Sequence, residues 1–207
     1  MNMSGRFPFL LANWRMMGLR LRAPILDMGC KRGELHAVIG RSLPYVGIDL
    51  NISNLQIGRA RNPRAHLVNC DARTLPFRPE VFGVVFAISI FEHVQREILE
   101  LVAGEIPRIL KPHGQLAVQI PNSRFIIELH SRIPLFHYLP RRVQDCLKPN
   151  RRFYDLRPLA VSRCLELMLG RGVFRSYKYP STVTGVPDWV PALMPMGYLF
   201  LFTKSSE

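Results

Sequence analysis

Short apolar runs alternate with stretches of helical spacing along most of this chain. Strands are expected at 24–28, 45–49, 66–70, 81–88, 115–120, 173–179 and 197–203, and helices at 34–41, 53–60, 94–110 and 156–170. Strands alternating with helices predict right-handed β-α-β units and a largely parallel sheet covered on both faces. Ahead of the first strand, Phe7, Leu10, Leu11, Trp14, Met17 and Leu21 recur at helical spacing, with Arg15, Arg20 and Arg22 on or beside the other face. Residues 1–23 therefore read as an amphipathic helical extension, which either caps the domain or lies on a membrane surface. The domain itself is expected over 24–207. Residues 121–155 interrupt the alternation. Pro121, Pro134, Pro140 and Pro149 punctuate them, and Phe125, Phe136, Tyr138, Phe153 and Tyr154 are interleaved with arginines. An insertion directly after the fifth strand is well placed to form a substrate lid.

With 207 residues, 48% of them hydrophobic, the chain can bury the core of one α/β domain rather than two. Cys30, Cys70, Cys146 and Cys164 form no C-x-x-C pair and no metal-ligand spacing. They point to reduced thiols in a cytoplasmic protein and away from a disulfide framework or a metal centre. No run approaches the roughly 18 to 20 apolar residues of a membrane-spanning helix. The apolar patch at 7–12 lacks the small-residue cleavage site of a secretory signal. The net charge of +13 changes the picture more, because it is unevenly placed. Residues 1–32 carry six basic side chains against one acidic, and 120–178 twelve against four, whereas 33–119 are nearly balanced. An anionic partner on the substrate side, nucleic acid or an anionic membrane surface, is one reading; a solvated face that confers solubility is the other.

Candidate chemistry concentrates at the strand ends. Pro24-Ile25-Leu26-Asp27-Met28-Gly29-Cys30-Lys31-Arg32-Gly33 is an apolar strand that breaks into a glycine-punctuated turn. Tyr45-Val46-Gly47-Ile48 is a second apolar run, closed by Asp49 some 20 residues after Gly29. A strand, a tight turn, a helix and a second strand ending in a carboxylate make a nucleoside-binding half-site. Ligands of such sheets sit at the carboxyl ends of the strands where the strand order reverses, which sets residues 27–33, Asp49, Asp71 and Ser89 along one rim. Taken singly, Asp27 and Asp49 also suit helix caps, Asp71 a turn, and Gly29 and Gly33 ordinary turn glycines.

Five segments stand in order: Ile25-Leu26-Asp27-Met28-Gly29-Cys30 with Gly33; Val46-Gly47-Ile48-Asp49; Cys70-Asp71-Ala72-Arg73-Thr74-Leu75-Pro76-Phe77; Ile88-Ser89-Ile90-Phe91-Glu92-His93-Val94; and Ile106-Pro107-Arg108-Ile109-Leu110-Lys111-Pro112-His113-Gly114-Gln115-Leu116. Together they resemble the motifs of class I S-adenosylmethionine-dependent methyltransferases of the type 11, small-molecule-like group. The resemblance implies an α/β, Rossmann-like, seven-stranded, mostly parallel sheet with helices on both faces, and S-adenosyl-L-methionine as cofactor. It also implies roles. Asp27 orders the first turn and receives the ligand's ammonium. Gly29 and Gly33, with Cys30 between them, bring backbone against the methionine portion. Asp49 takes both ribose hydroxyls, and Leu50 and Asn51 lie against the adenine. Asp71 accepts from the adenine amino group, the Ala72 amide donates to a ring nitrogen, and Ser89 faces the sulfonium and its methyl.

Three positions depart from that pattern. Lys31 replaces the middle glycine of the first motif, and either points into solvent or pairs with an anionic group of ligand or substrate. Gly83 stands where an aspartate usually precedes the fourth strand's apolar run, and His113 replaces a turn glycine. Pro107, near the end of a helix, predicts a kink. His93 is the first candidate for a catalytic base, its alternative being a structural hydrogen bond at a helix N-terminus. His130, His137 and Tyr138 fall in the lid. No metal site is expected. The expected activity is methyl transfer to a small-molecule or lipid-like acceptor, in the cytoplasm or peripheral to an anionic membrane surface. RNA methylation and non-catalytic binding of the same cofactor are the alternatives. The aromatic, apolar lid favours the first, the basic segment 124–157 the second, and Lys31 with the lack of a compelling base the third. No oligomeric state follows from the sequence.

Overall fold

The computed structural model describes residues 3–40, 42–91, 96–122, 139–147, 163, 165, 166, 169, 172–177 and 196–205. A seven-stranded sheet runs through it: β1 (Ile25–Met28), β2 (Tyr45–Asp49), β3 (His66–Asn69), β4 (Phe82–Ile88), β5 (Leu110–Pro121), β6 (Gly172–Tyr177) and β7 (Gly197–Thr203). The strand order is β3-β2-β1-β4-β5-β7-β6. Strands β1 to β5 pair in parallel, whereas β7 runs antiparallel to both β5 and β6. The order reverses between β1 and β4, so a cleft opens at their carboxyl ends.

Alternating burial explains why helices cover both sides of the sheet. In β1, Ile25 joins one core and Leu26 and Met28 the other; in β4, Val84, Phe86 and Ile88 alternate with Val85 and Ala87. The first core is filled by α1 (Met3–Met16), α2 (Glu34–Ile39) and α3 (Ile52–Arg61), the second by α4 (Arg96–Ile109). Leu165 and Leu169, both helical and buried, also join the second core. Apart from 163, 165, 166 and 169, the helix expected at 156–170 lies outside the described residues. Within the lid expected at 121–155, the described residues hold α5 (Arg141–Leu147), and most of the remainder lies outside them.

The N-terminal helix is part of the core. Phe7, Leu10, Leu11 and Trp14 are buried, and the Trp14 ring sits 5.5 Å from that of Phe86, centroid to centroid. That apolar side faces the sheet and is not available to a lipid surface. Among the described residues, no helix is long and apolar enough to cross a membrane.

Beyond α1 the chain crosses the start of β4. The Arg22 carbonyl lies so close to Gly83 that any Cβ there would collide with it, and the Gly83 N–H donates to the Pro24 carbonyl at 2.9 Å. Close backbone approach is why a glycine occupies this position. Strand β5 begins at Leu110, earlier than the expected 115, because Leu110 already pairs with Phe82. The His113 N–H then donates to Lys204 at 3.2 Å, and the Lys204 N–H to Gly114 at 2.9 Å. The irregularity in the β4–β5 ladder falls between Phe82 and Val84.

Candidate active site

The turn after β1 is shaped by backbone. Gly29, Lys31 and Gly33 take φ values of 68°, 51° and 72°. All three are left-handed, the region glycine enters without strain. A lysine there costs about 1–2 kcal/mol, yet the turn is kept, and the Lys31 N–H donates to Asp49 Oδ2 at 2.9 Å. His113 likewise keeps a left-handed φ of 58° where the other turn glycine was expected. The Lys31 residue is exposed and lines the cleft.

Asp49, closing β2, accepts from the Lys31 N–H on Oδ2 and from the Asn51 N–H on Oδ1, the latter at 2.8 Å. Each carboxylate oxygen has two acceptor positions, so one on each remains for a pair of adjacent hydroxyls. Asn51 is committed differently: its side chain caps α3, accepting from the Asn54 N–H at 3.1 Å. Leu50 is exposed at the rim and lines the cleft.

The carboxylate of Asp71 is already well supplied with donors. Arg73 gives its backbone N–H at 2.9 Å, Nε at 2.9 Å and Nη2 at 2.6 Å. These bonds, with the guanidinium charge, hold the Asp71 carboxyl below its usual range. Ala72 and Arg73 line the cleft beside it. The loop that carries them is fastened to α4. Arg108 donates to the carbonyls of Phe77 at 2.7 Å and Leu75 at 2.9 Å while pairing with Glu105 at 2.7 Å. Glu105 in turn accepts the Leu75 N–H at 2.8 Å.

Asp27 lies behind the turn, 4% exposed, with the Tyr45 hydroxyl donating to it at 2.7 Å. Burial lifts its carboxyl from an ordinary 3.8 to about 7, against the lowering effect of the Tyr45 bond and with Glu34 and Asp49 adding to the rise. Cys30 is buried as well, and the same desolvation pushes its thiol far up, which leaves it a packing residue without nucleophilic character.

Ser89, just past β4, also takes a left-handed backbone, with φ 54°. Its N–H donates to the Gln119 carbonyl at 3.0 Å and its hydroxyl to Gln119 Oε1 at 2.6 Å. Arg6 Nη2 reaches the same hydroxyl at 2.6 Å.

The cleft encloses about 410 Å³, within the usual span for small-molecule sites. It gathers Gly29, Asp49, Leu50, Asp71, Ala72 and Ser89 from the sequence-based set, whereas Asp27, Cys30 and Gly33 are buried outside its lining and Asn51, exposed at the start of α3, lies outside it as well. His93 lies outside the described residues. Sequence reasoning missed the apolar wall of Ile90, Ile98 and Val102, the Arg73 partner of Asp71, and Arg6. The wall was signalled by the helical spacing of α4 after β4; Arg6 carried no local signal. Among the described residues no group of His, Cys, Asp or Glu is placed to hold a metal.

Fold and cleft together define an α/β domain of the class I methyltransferase type. Residues 26–118 match the model of the methyltransferase domain family. A phthiotriol/phenolphthiotriol dimycocerosates methyltransferase of Mycobacterium leprae is 34% identical over 101 residues, 45% of this chain and 36% of that protein. The sterol 24-C-methyltransferase erg6 of Schizosaccharomyces pombe is 29% identical over 153 residues, 63% of this chain and 38% of that protein. A probable tRNA methyltransferase 9B of Bos taurus is 29% identical over 99 residues, 46% of this chain and 21% of that protein. The chain thus spans little more than a third of the length of the first two relatives. Among solved structures, an S-adenosylmethionine-dependent methyltransferase of Mesorhizobium loti superposes with a TM-score of 0.69 at 16% identity, covering 97% of this chain and 99% of that one. At that identity the likeness concerns the fold.

Proposed function

We propose that this chain is an S-adenosylmethionine-dependent methyltransferase acting on a small or lipophilic acceptor. The observation that carries the cofactor assignment is Asp49: a carboxylate at the β2 end, fixed by two backbone N–H donors and keeping one acceptor position per oxygen for a ribose diol. Gly29 and Lys31 present backbone to the methionine portion, Ile90, Ile98 and Val102 offer an apolar wall, and Asp27 sits within reach of the turn to balance an ammonium. When bound, S-adenosylmethionine supplies a methyl group activated by its sulfonium. The protein's part is to hold donor and acceptor in line at the β4 end and to exclude water there. Ser89 stands at that position, and its hydroxyl, tied to Arg6 and Gln119, cannot wander.

The lipophilic acceptor is supported by the apolar wall and by relatives whose names specify dimycocerosates and sterol. An RNA acceptor is the second reading, supported by the tRNA methyltransferase relative and by the excess of basic residues over 120–178. Purified protein is to be incubated with methyl-labelled cofactor and an unlabelled cell extract, followed by separation into lipid, small-molecule, RNA and protein fractions. Label in the lipid or small-molecule fraction is expected. Label confined to RNA reverses the order of the two readings, and label in no fraction favours a non-catalytic binding protein.

A further inference from the structure

Arg73 lines the cleft, yet its guanidinium is turned onto a neighbour. Nε and Nη2 both donate to Asp71 Oδ2, at 2.9 and 2.6 Å, and the Arg73 backbone N–H donates to Oδ1 at 2.9 Å. With two acceptor positions per oxygen, Oδ2 is full and Oδ1 keeps one. The two side chains are 51% and 31% exposed, and an ion pair as open as this adds little to stability. Nor does the loop depend on it. The Thr74 N–H donates to the Asp71 carbonyl at 3.3 Å, and the Leu75 N–H to Glu105 at 2.8 Å. What the guanidinium fixes is the carboxylate itself, in its orientation and in its ionised form, since the same bonds hold the carboxyl below its usual range.

The sheet decides what that carboxylate meets. Its order runs β3-β2-β1, so a ligand with its ribose on Asp49 and its methionine portion over the turn after β1 carries its base on toward β3. Asn69 is the register partner of Asp49, and Asp71 follows two residues later. Neighbouring strands lie about 4.8 Å apart, which sets Asp71 one strand beyond the ribose, at the depth of the base. Asp71 and Arg73 are the charged pair on that side of the cleft. An ionised carboxylate accepts and never donates. With one position open it takes a single N–H, such as an exocyclic amino group, and gains nothing from a C–H in the same place.

Resting on the methyltransferase reading above, we propose that Arg73 is a positioning residue for base recognition: by filling Asp71 Oδ2 it presents the one free acceptor of Oδ1 to the 6-amino group of the cofactor, and so sets the selectivity of the cleft for an amino purine. Arg73 acts through Asp71 and not by its own contact with the base.

The test compares, by calorimetry on the full chain, S-adenosylhomocysteine with its purine analogue, in which hydrogen replaces the 6-amino group. The analogue keeps the ring nitrogens, the sugar and the amino-acid portion, so the ratio of the two affinities isolates the amino group. A ratio of about tenfold is expected for the native protein, the worth of one hydrogen bond to a charged partner. Arg73→Ala is expected to lower it to about threefold or less, by weakening S-adenosylhomocysteine while leaving the analogue unchanged. Asp71→Ala is expected to bring the ratio near unity, and adding Arg73→Ala to that variant to change it no further. Arg73→Lys, which keeps the charge and loses the fork, is expected to fall between, and takes the place of Arg73→Ala if that variant fails to fold. Equal weakening of both ligands in Arg73→Ala overturns the proposal, because Arg73 then serves the loop or another part of the cofactor. So does a native-like ratio in that variant, or a native ratio near unity. If the native protein binds neither ligand, the methyltransferase reading falls first, and this one with it.

Discussion

The backbone N–H of Lys31 donates to Asp49 Oδ2 at 2.9 Å, joining the turn after β1 to the carboxylate that closes β2. The bond comes from main chain in a left-handed conformation, so the lysine fills a glycine's position without altering what the cleft is given. Its side chain is incidental to that bond.

Lys31→Gly therefore tests whether the lysine is a defect. Relief of the left-handed strain, offset by the greater freedom of glycine in the unfolded chain, is expected to raise stability by at most about 1 kcal/mol. Affinity for S-adenosylhomocysteine is expected to stay within about threefold. Lys31→Pro, which removes the donor and cannot take a positive φ, is expected to lower both. Thermal denaturation and calorimetry on the two variants check this.

The contrast between Lys31 and Arg6 shows where sequence reasoning reaches its limit. Asp49 and Ser89 were legible because each ends an apolar run buried in the sheet, and a polar residue at that point must lie on the rim. The conformation of Lys31 was not legible, since its residue type argues against a left-handed turn and only the surrounding ladder imposes it. Arg6 was hidden for a different reason. Its partners Ser89 and Gln119 lie 83 and 113 residues away, and no local pattern announces a charge turned inward on a helix. The reversed β7 and the early start of β5 likewise depend on pairings with distant residues, Lys204 among them.

Asp27 gives the site a pH dependence whose sign is fixed by its environment. Its carboxyl lies near 3.8 in the unfolded chain and about 7 when folded, because burial favours the neutral form. The stability it contributes is full below the lower value and is lost as pH rises through the upper one. Urea titrations are expected to show the ligand-free protein weakening between about pH 4 and 7 and levelling off above, a slope that Asp27→Asn flattens. A bound ammonium favours the ionised carboxylate. Cofactor affinity is therefore expected to rise from pH 6 to pH 8, with proton release visible as a dependence of the calorimetric heat on the buffer used.

Arg108 fastens the Leu75–Phe77 stretch to α4 through two carbonyls and Glu105. Arg108→Ala leaves those carbonyls and the Glu105 carboxylate without their donor, and is expected to destabilise the fold by about 2–3 kcal/mol. Because that stretch continues the loop that carries Asp71 and Ala72, affinity for the cofactor is expected to fall as well, while Arg108→Lys restores part of each. Chemical denaturation and calorimetry on the two variants separate the effects.

Trp14 seats α1 against Phe86, and its indole N–H is buried without a partner. Trp14→Ala is expected to cost about 3–5 kcal/mol, the usual range for emptying a large aromatic site. Trp14→Phe removes the orphan donor along with some volume, and its loss is expected to be well under half of that. Equal losses in the two variants would mean that the N–H has a role the packing does not explain.

The central claim is that the cleft between β1, β2 and β4 holds S-adenosylmethionine through Asp49. Isothermal calorimetry with S-adenosylhomocysteine, on native protein and on Asp49→Asn, tests it most directly. One molecule bound per chain is expected, with a loss of about 10- to 100-fold in the variant, the equivalent of losing charge-assisted bonds to the ribose. No binding to the native protein, or equal binding to both with the variant still folded, would contradict it.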